Sequence, residues 1–342
     1  LGYQVLIEEI DARMSGGRFV VRLVDAEILD SRRDNSLFQL KDLIITVNAL
    51  GFIRTGGVEI ERVDMSGLDL IIERRQDNSL GVAGLPPIEG ESGSDQETNI
   101  SAILESLPGR IRISDSSLLF RDSVLKENYR ATSIELELIN DRDVPALAGS
   151  LAIPGELGDR VRFHASLGNG FDLEAPSLDL YIQGNRLMFQ HWPWLKDIPQ
   201  LPGIIDGNSD IQLWLSLLQG RVISLQGRLA SRDLTFSAGA IGLNRVTLER
   251  LESDFSFDSG SEGWMVRTSD LLVQRIGKKW SSESMQVWSE PTDKPGSNRI
   301  GLAFEYLRLE DLAALAGMLP QVPVQVVDRL ERAIHGGSVL PL

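Results

Sequence analysis

Cysteine is absent from this chain of 342 residues, which excludes disulfides, thiolate metal sites and cysteine nucleophiles together. Histidine is nearly absent. His164, His191 and His335 are the three present, and none stands in an H-E-x-x-H or H-x-H spacing suited to a metal. A G-x-S-x-G elbow, a P-loop and a strand-borne G-x-G-x-x-G are also lacking. No window approaches ~18–20 uninterrupted apolar residues, so no helical membrane span is expected in these residues. Basic residues are in deficit, 34 Lys and Arg against 49 Asp and Glu, for a formal charge of −15. A nucleic-acid partner needs clustered cations of the opposite balance. The expectation is a chain without catalytic machinery, metal or cofactor, and with no nucleic-acid partner.

What the chain does have is alternation. Ile211-Gln212-Leu213-Trp214-Leu215-Ser216-Leu217 and Ile300-Gly301-Leu302-Ala303-Phe304-Glu305-Tyr306 place apolar and wetter side chains at period two, the signature of a strand with one greasy face. Phe19/Val21/Leu23, Leu43/Ile45/Val47, Leu68/Leu70/Ile72, Ile134/Leu136/Leu138 and Leu178/Leu180/Ile182 repeat it. Val58 and Ile60 give way to Val63 and Met65 after a slip in phase. Glu135 and Glu137 sit opposite Ile134, Leu136 and Leu138, which makes them a solvated outer face. With 42% hydrophobic residues but only 6% aromatics, the apolar load falls on Leu, Ile and Val, as strands prefer. The six tryptophans are dispersed and read as packing at sheet corners and strand ends.

The expected fold class is mainly β: a long, twisted antiparallel sheet forming an open hydrophobic groove, with a few short helices near the C-terminus. Its organisation divides into a β segment over residues 1–85, a flexible acidic linker over 86–99, a continuing β-groove over 100–307 and a helical segment over 308–342. Ser101 to Leu107 has the spacing of a short helix. The prolines of 191–203 prevent a central strand there. Leu1 without a methionine, and the end shortly after Gly336-Gly337, read as a piece of a longer protein.

A continuous apolar face must be covered by something, and the sequence supplies few helices to do it. The face is assigned to Leu178, Leu180, Ile182, Ile211, Leu213, Leu215, Leu217, Ile223, Leu225, Leu229, Leu302 and Phe304, and acyl chains are its expected cover. At about 0.8 kcal/mol per CH₂ exposed, a two-chain lipid crossing water costs on the order of 20 kcal/mol; an apolar trough replaces that barrier with small steps. The rivals are a non-enzymatic envelope scaffold that binds other proteins by edge pairing, and a polysaccharide-active solenoid, for which the clustered carboxylates and aromatic platforms are not visible.

Two stretches carry a family likeness. Gly67-Leu68-Asp69-Leu70-Ile71-Ile72-Glu73-Arg74, running on to Asp77-Asn78-Ser79-Leu80-Gly81-Val82-Ala83-Gly84-Leu85, is one. Leu104-Glu105-Ser106-Leu107-Pro108-Gly109-Arg110-Ile111-Arg112-Ile113-Ser114-Asp115-Ser116-Ser117-Leu118-Leu119-Phe120-Arg121-Asp122 is the other. They resemble the AsmA-like proteins of Gram-negative bacteria and, within that group, the YhdP family, whose strand series leads to a segment like Tyr306-Leu307-Arg308-Leu309-Glu310-Asp311-Leu312. The resemblance implies a periplasmic envelope protein, similar to the eukaryotic chorein-type bridges. It also implies an inner-membrane anchor before Leu1, a continuation after Leu342, phospholipids as cargo and outer-membrane components as partners. It brings no catalytic residues.

Overall fold

The computed structural model describes residues 4–29, 36–49, 60–82, 107–141, 144–168, 177–195, 203–238, 244–260, 263–291 and 298–306, with 325, 329 and 332. Among these, seventeen strands belong to one sheet, so the mainly β expectation holds. Two 3₁₀ turns, Phe189–His191 and Pro193–Leu195, fill the proline-bearing break. The acidic linker, all but Leu107 of the helix expected over 101–107, and the C-terminal helical segment lie outside the described residues. Gln325, Arg329 and Arg332 are the helical positions described in that last segment.

The strands gather into two compact units, one of residues 1–154, 160–180 and 217–220, the other of residues 155–159, 181–216 and 221–342. In the first, β1 (Gln4–Ser15), β2 (Arg18–Leu29), β3 (Ser36–Asn48) and β4 (Ile60–Ser66) pair antiparallel in sequence order. Gly16 and Gly17 turn β1 into β2, both at positive φ, the mirror-image turn that matches strand twist. The phase slip read near residue 60 is a bulge: Thr46 faces Arg62 while Val47 faces Ile60, leaving Glu61 as the extra residue.

One step departs from the antiparallel expectation. β4 and β5 (Asp69–Arg74) both pair parallel with β7 (Arg110–Asp122), Ser66 opposite Ser114 and Asp69 opposite Ser117. The short β6 (Leu80–Val82) returns along β5. A parallel neighbour requires a crossover rather than a hairpin, and residues 83–109 provide the chain length. The meander then resumes antiparallel through β8 (Glu127–Ile139), β9 (Ala146–Ala152) and β10 (Arg160–Gly168). The chain continues through β11 (Ser177–Leu187) and β12 (Gly203–Leu218), each divided between the units.

The second unit contains β13 (Arg221–Ala238), β14 (Asn244–Gly260), β15 (Gly263–Arg275), β16 (Lys278–Pro291) and β17 (Asn298–Phe304), a run of antiparallel neighbours. Its buried core is Leu234, Phe236, Val246, Leu248, Leu271, Val273 and Trp280, with Ile204 and Leu251 packed on it.

Most long strands share a feature that simple alternation does not contain. A residue at positive φ marks a break in phase: Asp25, Asp115 and Ser133 within strands and Gly67 between β4 and β5 in the first unit, and Gly207, Asp233 and Asp270 within strands and Arg186 next to the end of β11 in the second. These positions are neighbours across the sheet. Gly67 and Asp115 lie between the pairs Ser66–Ser114 and Asp69–Ser117, and a Cβ on Gly207 would meet Asp233 O at 3.0 Å. At each, the apolar face skips two residues instead of one: Val63, Met65, then Leu68, Leu70; Ile111, Ile113, then Ser116, Leu118; Leu229, Ser231, then Leu234, Phe236; Val266, Thr268, then Leu271, Val273. A left-handed residue re-aims the strand, so the chain bends there while its apolar side chains stay on one face.

Serines occupy that face beside the bends. Ser116, Ser209, Ser231 and Ser282 are buried. Ser116 Oγ accepts from Leu68 N–H at 3.0 Å and donates to Ser114 O at 2.7 Å. Ser282 Oγ donates to Ser284 O at 3.1 Å. The Ser209 and Ser231 hydroxyls bond each other at 2.7 Å. Small hydroxyl side chains fit the inner corner and satisfy backbone groups that the bend takes out of the ladder.

Candidate functional site

Among the expected residues, Leu225 and Phe304 stand in cross-strand rows of mostly apolar residues running from β13 to β17. Leu178, Leu180 and Leu217 belong to the first unit and are half-buried. In the second, Ile182, Ile211, Leu213, Leu215, Leu225 and Leu229 are half-buried, while Ile223 and Phe304 are 42% and 46% exposed. Leu302 stands opposite Val287 in the β16–β17 register.

Register also recruits residues that the sequence reading had not placed there. Leu225 faces Phe257, Phe257 faces Val266, Val266 faces Val287, and Val287 faces Leu302. Gly227 faces Phe255, Phe255 faces Thr268, Thr268 faces Met285, and Met285 faces Phe304. Directly opposed residues share a face, so the two rows continue the apolar surface from β13 to β16 and, at Phe304, to β17. A Cβ on Gly227 would meet both the Phe255 ring and, at 2.8 Å, Leu213 Cδ2, which fixes Leu213 to the same face. The alternation of Phe255 with Phe257 was the signal available in the sequence.

The first unit repeats the arrangement. Ile10, Ala12 and Met14 face Leu23, Val21 and Phe19, which in turn face Leu43, Ile45 and Val47. Ile10 is 63% and Met14 71% exposed. Gly149 lies under the Leu136 and Phe163 side chains, with Phe163 directly opposite it, as Phe255 is to Gly227.

In the second unit the bends separate two regions of this face. Toward the ends of β13 and β15 and the starts of β14 and β16, the face is closed: Leu248 and Val273 are each 1% exposed. On the other side of the bends lie the half-exposed Leu225, Leu229, Phe255 and Phe257. Among the described residues of the second unit, that half offers accessible apolar surface to a ligand.

The opposite face carries charge in cross-strand pairs. Arg22 donates to Asp42, Arg110 to Glu137, Arg228 to Asp254 and Arg267 to Asp258. The Arg22 and Arg228 guanidiniums hold the Asp42 and Asp254 carboxyls below the usual carboxylate range. Glu137 thus lies on the polar face, as read from its alternation. Among the described residues no group of three or more His, Asp or Glu side chains could hold a metal, and no helix is long and apolar enough to cross a membrane.

No curated protein and no solved structure matches the chain. Residues 1–339 match the family described as YhdP protein, which is associated with the Gram-negative cell envelope. The match spans nearly all 342 residues: the chain belongs to the YhdP family.

Proposed function

We propose that this chain is part of a non-enzymatic lipid-transfer protein that carries phospholipid acyl chains along the apolar faces of its strands, from the inner toward the outer membrane. The observation that carries the reading is the accessible half of the apolar face in the second unit, Ile211, Leu213, Leu215, Leu225 and Leu229 with Phe255 and Phe257, beside a half that is already packed. Apolar surface of this kind demands a cover, and acyl chains supply one with no fixed partner geometry. The headgroups stay in water. Each CH₂ covered is worth about 0.8 kcal/mol, spread over many side chains, so no single residue is essential. Family membership supports an envelope setting; a periplasmic location, with an inner-membrane anchor elsewhere in the full-length protein, belongs to the same proposal.

The direct test is lipid extraction from protein purified without detergent, followed by mass spectrometry. Co-purifying phospholipid in the wild type, sharply reduced in Leu215→Asp and retained in Leu215→Ala, is expected. Wild-type protein free of lipid would favour the scaffold reading instead.

A further inference from the structure

The polar face of the second unit holds a cavity of about 510 Å³, on the opposite side of the strands from the apolar residues described above. Trp214, Gln226, Arg228, Ser256, Arg267 and Gln286 are among its lining residues, with Gly227, Phe255 and Thr268 of the same strands between them. Register explains how they meet: Gln226 faces Ser256, Ser256 faces Arg267 and Arg267 faces Gln286, one polar row across four strands. Trp214 alternates with Leu213 and Leu215 and so projects to this side. Its indole is 46% exposed, and Tyr181 packs against it, ring centroids 5.2 Å apart at 41°.

From this constellation we infer that the cavity binds a neutral oligosaccharide. A supported, half-exposed indole at the edge of a polar depression is an amphipathic platform, suited to a ligand with one C–H face and a polar rim. Two amide side chains, each with donors and an acceptor, and a serine hydroxyl serve hydroxyl and acetamido groups of either polarity. The volume lies within the range of small-ligand sites. Charge decides against an anion: both arginines are already committed, Arg228 to Asp254 through two bonds of 2.7 Å and Arg267 to Asp258 at 2.8 Å. A phosphate would have to displace a carboxylate from each. A carbohydrate needs no such exchange, and the fixed guanidiniums still present N–H groups to its oxygens.

The probe is the β-1,4-linked tetramer of N-acetylglucosamine, titrated calorimetrically into the whole purified chain. Saturable binding is expected, little changed between low and about 0.5 M salt because no net charge is exchanged. Trp214→Ala should weaken it by about tenfold, the scale of losing one stacked contact. Gln226→Ala and Gln286→Ala, surface changes that leave the thermal midpoint in place, should each weaken it several-fold. Leu225→Asp, on the other face, should leave it unchanged, so this result stands or falls apart from lipid carriage. Absence of saturable binding overturns the inference. So does binding that Trp214→Ala and both glutamine variants leave intact, or that inorganic phosphate competes away.

Discussion

The ring of Phe255 lies over Gly227, the residue directly opposite it across the β13–β14 pair. A strand glycine leaves a gap in the side-chain layer, and the aromatic neighbour closes it. Leu213 borders the same gap. Phe255→Ala would reopen it and should lower stability by roughly 1.5–3 kcal/mol, below the figure for a fully buried phenylalanine because Phe255 is half-buried. Urea unfolding gives the number, and a cost under about 0.5 kcal/mol would mean that the ring does not support the sheet.

Asp233 tests the bend. Its φ is 53° in the middle of β13, a conformation that costs an ordinary L-residue roughly 1–2 kcal/mol. Asp233→Gly should therefore be close to neutral, and Asp233→Val should destabilise by about 1–2 kcal/mol, since valine prefers the extended form that would turn Leu234 and Phe236 off the core. Equal effects of the two substitutions would refute a conformational role.

The Ser209–Ser231 hydrogen bond is buried, with each residue 1% exposed. Ser231→Ala leaves the Ser209 hydroxyl without that partner and should cost about 1–2 kcal/mol. Removing both hydroxyls should cost less than the sum of the single changes, and the coupling appears in a double-mutant cycle. Strict additivity would show that the two hydroxyls act independently.

Asp122 predicts an acid limb to stability. It is buried, and Arg74 lies at 2.6 Å with 29% of its side chain exposed. Burial pushes its carboxyl up, but the Leu125 N–H, Arg74 and the Val124 N–H outweigh burial and hold it below the ordinary value. A carboxyl depressed in the folded state stabilises fully above its unfolded pKa, about 3.9, and loses that contribution as pH falls through the folded value. The wild type should lose stability progressively below about pH 4. Asp122→Asn should be less stable at pH 7 and show a shallower fall over the same range. Parallel curves for the two proteins would remove Asp122 from the account.

Alternation located most of the described strands, because period-two patterning follows directly from strand geometry, but it did not single out β6, β9 or β16. The bends were written in the same letters: Met65 to Leu68, Ile113 to Ser116 and Thr268 to Leu271 are all spacings of three. A spacing of three does not by itself announce a bend, because it reads equally well as a strand end. The parallel approach of β7 to β4 and β5 was not legible, since partner choice depends on residues about fifty positions apart. Alternation likewise could not separate the packed half of the face from the open one. Leu234/Phe236 and Leu225/Leu229 have the same pattern, and only their neighbours across the sheet distinguish them. The polar cavity went unread for a related reason: Trp214 and Gln286 are far apart in sequence, and each alone looks like an ordinary outward-facing residue.

The bends also constrain how strand lengths can change. The extra residue at Asp233 is matched across the pair: Arg232 faces Arg250 and Leu234 faces Leu248, so the count between them is equal on both strands. Deleting Asp233 alone would straighten β13 but set Leu234 against Glu249, and every pairing beyond it would slide by one. A length change at Asp233 is therefore a property of β13 and β14 together, whereas at the Asp270 bend the sheet absorbs a mismatch, Ser269 to Leu272 standing against Asp254 to Glu252.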